Sequence, residues 1–259
     1  MALVEQTIKE GVGILTLNHR AKRNALSEAL LNELIGGLDA FQENKVPVVI
    51  LRAVEGTSCW SAGHDVTELP RTHRDPLGYF DPLEKVLRAV QRHPNPVIAM
   101  VHGSVWGGAC DLVLSCDLVV GDETSTFAIT PAKLGLPYNA SGILHFMNRV
   151  GLNIAKEMFF TADPIASERA ERVGILNYLT SSDDLMNVTM SLAKRIASRS
   201  ILSVAVIKEQ LRILSGARPI SPEQFEHLQG LRRCVYDSYD YEEGITSFLE
   251  KRTPVFKGE

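Results

Sequence analysis

Gly103-Ser-Val-Trp-Gly-Gly-Ala109 follows the apolar run Pro96-Val-Ile-Ala-Met-Val101 and leads directly into Cys110-Asp-Leu-Val-Leu-Ser115. The apolar run reads as a strand buried on both faces, and Ala109–Ser115 reads as a helix. Gly107 and Gly108 then fall at a helix N-terminus, where the first N–H groups have no intrahelical partner and the dipole favours negative charge. A second glycine-bearing loop, Ser61-Ala-Gly-His-Asp65, follows another buried strand, Pro47-Val-Val-Ile-Leu-Arg52. Glycine lets a backbone approach a ligand closely. Brought together, two such loops make an oxyanion hole without any side-chain donor; either loop alone is equally well read as a tight turn.

Working outward, Val12-Gly-Ile-Leu-Thr-Leu17 reads as a strand and Asn18–Asn24 as a polar loop. Ser27 opens a helix whose apolar residues recur at Leu30, Leu31, Leu34, Ile35 and Leu38. Glu55–Asp65 and His102–Gly108 read as loops and Leu83–Gln91 as a helix stopped by His93-Pro94. Leu118–Val120 and Thr126–Ile129 read as short strands. Helical patterns then dominate: Ile143–Val150, Asn153–Phe160, Ser167–Arg172, Asp183–Ala197, Ser203–Leu214 and Pro222–Tyr236. Strand–helix alternation predicts an α/β core with crossover connections. Residues 1–195 are expected to form the catalytic core and 196–259 a C-terminal helical region.

The 259 residues are 45% hydrophobic and 22% charged with a formal net charge of −4. That balance argues against a dedicated binder of nucleic acid or of anionic membranes. Cys59, Cys110, Cys116 and Cys234 form no C-x-x-C pair and no zinc spacing with histidine, so no metal is expected. Three of them sit among apolar or small residues, as buried thiols of a reducing compartment do. Glu5, Lys9 and Glu10 leave no apolar signal region near the start, and no stretch reaches the ~18 apolar residues of a membrane span. A cytoplasmic protein with no membrane partner is expected. The basic residues Arg232-Arg233, Lys208 and Arg212 make too thin a cluster for RNA binding. Arg71-Thr-His-Arg74 reads as an exposed loop bordering the site.

Taken together, S-A-G-H-D-V at 61–66 and G-S-V-W-G-G-A at 103–109 resemble the crotonase (enoyl-CoA hydratase/isomerase) superfamily, whose A-G-x-D and G-G-G/A segments form an oxyanion hole. The resemblance extends to K-R-N-A-L at 22–26, L-G-L-P at 134–137, E-R-A-E-R-V-G-I-L at 168–176 and F-L-E-K-R at 248–252, and so spans essentially the whole chain. It implies an α/β crotonase fold, repeated ββα turns in a spiral core, with the C-terminal helices serving trimerisation. It implies that a thioester oxygen accepts from the N–H groups of His64 and Gly108. Arg23, Ala25, Ala62 and Gly107 would line the path of coenzyme A, and Phe248 and Lys251 would reach a coenzyme A, often that of a neighbouring subunit. Homo-oligomers, trimers or dimers of trimers, are implied. Coenzyme A would enter as part of the acyl-CoA substrate, with no separate cofactor.

Hydratases of this family use two glutamates as acid and base. The first lies three residues after the oxyanion-hole glycine, which here is Asp111; the second lies four before the glycine of L-G-L, which here is Pro131. Proline moves no proton. Decarboxylation of a malonyl-type thioester needs no base, because loss of CO₂ itself creates the enolate. Thr130–Asn139 and Trp106 resemble the branch of the family that converts methylmalonyl thioesters to propionyl thioesters. That resemblance implies that Tyr138 orients the substrate carboxylate and that Thr130 lines the same pocket. A carboxylate retained at Asp111 keeps a hydratase or isomerase working through that residue as the alternative, with a crotonase-fold RNA-binding or scaffold protein a remoter one.

Overall fold

The computed structural model describes residues 2–71, 74–217 and 219–259. Thr72 and His73 of the Arg71–Arg74 loop lie outside the described residues.

A six-stranded sheet forms the centre. Its strands are β1 (Val4–Lys9), β2 (Val12–Leu17), β3 (Val49–Ala53), β5 (Val97–Val101), β7 (Leu118–Asp122) and β10 (Tyr178–Thr180), adjacent in that order. β1 pairs antiparallel to β2, and every other pairing is parallel. Parallel neighbours need crossover connections, and burial on both faces explains why β2, β3 and β5 read as continuous apolar runs. Alternate residues part company. Val12, Ile14, Ile50, Ile98 and Met100 pack with α6 (Leu185–Ala197) on one face. Leu15, Leu17, Leu51, Ala99 and Val101 join the larger core on the other, with α1 (Glu28–Glu43).

A second, smaller sheet follows the order β4 (Cys59–Ser61), β6 (Ser104–Trp106), β8 (Thr126–Ala128), β9 (Ile165–Ala166). The chain visits both sheets before each helix: β3-β4 then α2 (Pro82–Arg92), β5-β6 then α3 (Gly108–Ser115), β7-β8 then α4 (Ala140–Thr161). These are the repeated ββα turns of the expected α/β crotonase core.

The structure corrects several boundaries. Glu55–Asp65 contains β4 and His102–Gly108 contains β6, neither of them wholly loop. Three residues are too few to display a period, and both strands exist through pairing with each other and with β8. β1 was not expected because only Val4 of its six residues is buried. The two helices expected over 143–160 are present as the two halves of α4, which meet at a kink where Gly151 has φ +74°. Ser27 caps α1, accepting from the Leu30 N–H.

Beyond α5 (Ser167–Arg172) and α6 come α7 (Ile201–Ser215), α8 (Pro222–Tyr236) and α9 (Tyr239–Glu250). α7 has no buried residue and is held by Lys208, whose Nζ donates to Asp117 Oδ2 (2.7 Å), Asn95 O (3.1 Å) and Val90 O (3.3 Å). α8 is tied by Arg232, buried and paired with Asp75. α9 lies on the 3-10 turn Pro131–Leu134, so close that a Cβ on Gly244 would overlap the Leu134 backbone. Among the described residues no helix is long and apolar enough to cross a membrane.

Trp60 couples the two sheets: its side chain is fully buried and its indole N–H donates to Met100 O of β5 over 2.9 Å. Trp60→Phe leaves that carbonyl without its partner and opens a gap. It is expected to lower the unfolding free energy by about 2–4 kcal/mol, measured by urea denaturation.

Candidate active site

β4 ends at Ser61, and the chain turns through Ala62 and Gly63 to His64. Three bonds set the turn. Ser61 Oγ donates to Asn24 O (2.6 Å) and accepts from the Gly63 N–H (3.2 Å), and the Ala62 N–H donates to Arg23 O (2.9 Å). Leu26 then pairs with His64 as a parallel bridge, the Leu26 N–H donating to Gly63 O and the Asp65 N–H to Leu26 O. A parallel bridge uses the groups on either side of its central residue. The N–H of His64 is therefore left without a protein acceptor among the described residues.

The second turn complements it. Gly107, at φ +52°, is the N-cap of α3 and donates its own N–H to Ala128 O over 2.8 Å. Gly108 is the first helical residue, so its N–H has no intrahelical partner. All eight residues of α3 are buried. A Cβ built on Gly63 would lie 3.3 Å from Gly108 N, and one on Gly108 would lie 3.7 Å from His64 N. Two unused backbone donors thus stand side by side at the positive end of a buried helix, a site suited to a developing oxyanion.

The His64 ring is fixed by Nδ1, 3.1 Å from Asp65 O, while Nε2 stands 3.6 Å from Asp81 Oδ2, an ion-pair separation rather than a hydrogen bond. Burial alone would lower the pKa of His64, but Asp81 outweighs it and the net shift is upward.

One turn along α3, Asp111 is 1% exposed and both its oxygens are engaged. Oδ2 accepts from Tyr138 O–H (2.9 Å), and Oδ1 lies 2.7 Å from His145 Nδ1. Burial and the adjacent Asp111 push the Tyr138 hydroxyl well above its ordinary value. For His145 burial works against the charged form, yet the bond to Asp111 dominates and raises its pKa. Glu84 is buried too, and burial raises it although Asn139 Nδ2 and Ser141 Oγ donate to it. Asn139 also caps α4 by accepting from the Gly142 N–H (2.8 Å), which holds the segment bearing Tyr138. His145 and Glu84 were missed in the sequence; the signal available was a polar His145 inside the apolar run Ile143–Met147.

Thr130 lies beside the hole: a Cβ on Gly107 would stand 3.2 Å from its Oγ1. Pro131 is buried as the first residue of the 3-10 turn. Arg23 and Ala62 are exposed and Ala25 is half-buried along the first loop, stitched to the site through Lys22–Asp65 (2.8 Å) and Asn24 Nδ2 to Trp60 O (2.9 Å). Phe248 is 54% exposed on α9, and Lys251 is its left-handed C-cap at φ +56°, outside the helix itself. The structure brings His64, Gly107, Gly108, Asp111, Thr130 and Tyr138 together around α3. Phe248 on α9 and Lys251 just beyond it are not among them. Arg71 donates to Thr246 Oγ1 of α9 (3.2 Å), and Arg232, Lys208 and Arg212 are each ion-paired. Among the described residues no three His, Cys, Asp or Glu side chains are grouped to hold a metal.

Gly63→Ala must move the Trp106 carbonyl, which its Cβ would overlap, and adopt φ +85°. A displaced hole should cost about 10²–10³ in kcat, read by steady-state kinetics against a thermal melt. The His64–Asp81 pair has a testable sign. Because the folded pKa of His64 is raised, the pair stabilises the fold fully below the unfolded value of about 6.5 and loses this as pH rises through the folded value. Asp81→Asn keeps the α2 cap to Leu83 N. Its cost in unfolding free energy should be largest in mild acid and shrink toward alkaline pH; a cost independent of pH would exclude the pair.

The family profile described as Enoyl-CoA hydratase/isomerase matches residues 7–259. The chain is 45% identical over 247 residues to "Methylmalonyl-CoA decarboxylase" of Escherichia coli (strain K12), covering 95% of each. It is 35% identical over 261 residues to "Enoyl-CoA hydratase domain-containing protein 3, mitochondrial" of Homo sapiens, covering 96% of this chain and 82% of that one. A solved structure of methylmalonyl-CoA decarboxylase in complex with 2-nitronate-propionyl-CoA superposes with a TM-score of 0.98 at 44% identity over 99% of both chains. Another, complexed with 2S-carboxypropyl CoA, gives 0.98 at 44% identity over 100% of this chain and 99% of that one. With the fold, the two glycine turns and the full-length match in agreement, the chain belongs to the enoyl-CoA hydratase/isomerase (crotonase) family.

Proposed function

We propose that the protein is an acyl-CoA carboxy-lyase that converts methylmalonyl-CoA to propionyl-CoA and CO₂. The observation that carries this reading is a hole of two unused N–H groups beside a carboxylate whose oxygens are both engaged. The similarity to decarboxylases that bind CoA analogues supports it. The thioester oxygen accepts from the His64 and Gly108 N–H groups. The breaking C–C bond stands roughly perpendicular to the thioester plane, so its electron pair flows into the carbonyl as CO₂ leaves. Each donor is worth about 10²–10³ in rate when aimed at charge that develops only in the transition state.

Pro131 occupies the second acid/base position of the family hydratases, and a proline adds no charge beside a substrate carboxylate. Asp111 is committed to Tyr138 and His145, which disfavours its service as a free base for hydration. Tyr138 orients the substrate carboxylate, and Thr130 lines the same pocket. Tyr138 has one proton to donate, so it turns from Asp111 toward the substrate or shares that proton between them.

Coenzyme A runs past Arg23, Ala25, Ala62 and Gly107 as part of the substrate, with no further cofactor. We assign residues 1–195 to the catalytic core and 196–259 to trimerisation, in a cytoplasmic homo-oligomer in which Phe248 and Lys251 reach a neighbour's coenzyme A. In support, α7 has no buried residue and shows Leu202, Val206, Leu211 and Leu214 at its surface, and exposed apolar residues gathered on one helix mark an interaction face.

The test is CO₂ release from malonyl-, methylmalonyl- and ethylmalonyl-CoA beside hydration of crotonyl-CoA. Methylmalonyl-CoA should be turned over fastest, and Tyr138→Phe should lower kcat/KM by about 10–10²-fold. Hydration of crotonyl-CoA without any CO₂ release would refute the decarboxylase reading.

A further inference from the structure

Decarboxylation leaves an enolate that must take up a proton, and the two backbone N–H groups of the hole have none to give. The one acidic hydroxyl nearby, that of Tyr138, is bonded to Asp111, which is 1% exposed. Asp111 has a second neighbour that faces the other way. His145 places Nδ1 2.7 Å from Asp111 Oδ1 and Nε2 2.9 Å from Gln91 Nε2, and its side chain is 19% exposed. His145, Gln91 and Ser115 line a cavity of about 810 Å³ between α4, α7 and the C-terminal end of α3. The hole lies at the opposite end of that helix, about 12 Å away for eight residues at 1.5 Å each.

Gln91 is a fitting outer partner for a histidine that changes charge. As placed, its Nε2 faces both His145 Nε2 and Ser115 Oγ (3.1 Å), which suits a neutral imidazole accepting at Nε2. A half-turn of the amide presents Oε1 instead, which accepts from an imidazolium N–H and from the Ser115 hydroxyl. Neither charge state of His145 leaves a buried donor without a partner.

We propose that His145 is a positioning residue that passes protons from the cavity at the far end of α3 to the Asp111–Tyr138 pair, replacing the proton the enolate consumes. This rests on the decarboxylase reading. As CO₂ departs, the C–C bond breaks and its electron pair becomes the enolate. The Tyr138 O–H bond breaks while a Cα–H bond forms. The His145 imidazolium gives its Nδ1 proton to Asp111 Oδ1, and a half-turn of the carboxyl carries that proton to the phenolate oxygen. The imidazole left behind keeps its Nε2–H and is bare at Nδ1; a turn of the ring brings that nitrogen to the water of the cavity, which reprotonates it, and the solvent supplies the one proton that the reaction uses. The raised pKa of His145 agrees with an imidazolium resting against Asp111.

Two half-reactions separate the proposals. Single-turnover CO₂ release reads bond cleavage; exchange of the Cα hydrogens of propionyl-CoA in D₂O reads proton delivery alone. In His145→Ala, exchange should fall about 10²-fold and recover about tenfold with added imidazole, while CO₂ release changes far less. Gln91→Leu should slow exchange in the same direction, and it serves as the readout should His145→Ala not fold. Exchange at the wild-type rate in both variants, or lost exchange that imidazole does not restore in a folded His145→Ala protein, overturns the relay. Exchange by the wild type without CO₂ release would instead overturn the decarboxylase reading.

Discussion

The bridge between Leu26 and His64 is the constraint on which the site depends. It engages the N–H groups of Leu26 and Asp65 and the carbonyls of Gly63 and Leu26, and by its geometry leaves the N–H of His64 unused. The K-R-N-A-L segment is therefore structural support for the hole. Asn24 is fully buried at φ +51°, with its side chain donating to Trp60 O and accepting from the His19 N–H. Lys22 closes the loop onto Asp65. An unsatisfied N–H is costly in a protein interior. Here it is held by bonds on either side of it, so that the free donor comes from the arrangement of its neighbours.

The other half of the hole depends on packing. α3 is buried along its whole length, its Cys110 thiol lies against Val105 O and Ala128 O, and Arg149 of α4 donates to Cys116 O beyond its last turn. Burial raises the pKa of Cys110 and pushes that of Cys116 up to about 12, so both thiols stay protonated and serve as small apolar residues. A helix fixed in this way presents its N-terminal N–H with little freedom to reorganise, which is the condition for electrostatic stabilisation to act on the transition state.

Much of the fold could be read from the sequence because its central strands are buried on two faces and its helices carry apolar stripes. α5 and α8 were bounded by local signals alone: α8 begins with a complete capping box, Ser221 and Gln224. What escaped was most of the small sheet. β4 and β6 are three residues each and exist through pairing with one another and with β8, the strand of that sheet that was expected, a pairing that no local period reports. The site divided in the same way. His64, Gly107 and Gly108 were legible because glycines at a strand–helix junction are a local statement. The engagement of Asp111 was not, because its partners Tyr138 and His145 arrive from the far side of a 3-10 turn and from α4. A carboxylate that looked like an available base in sequence proved to have both oxygens bonded.

The uneven rigidity of the pocket bears on how such an enzyme changes in evolution. The wall made by α3 and the two glycine turns is locked by backbone overlap at Gly63 and Gly103, where any side chain collides with main chain. In the opposite wall the backbone of Leu134 and Gly135 is seated on α9, but the Tyr138–Asn139 end hangs on the side chains of Tyr138, Asn139 and Glu84. Substitutions there exchange one hydrogen-bonding set for another without touching the scaffold. Proteins built on such a hole can therefore differ in what they do with an enolate, because the half of the chemistry held by main chain and the half held by side chains are carried by different strata of the fold.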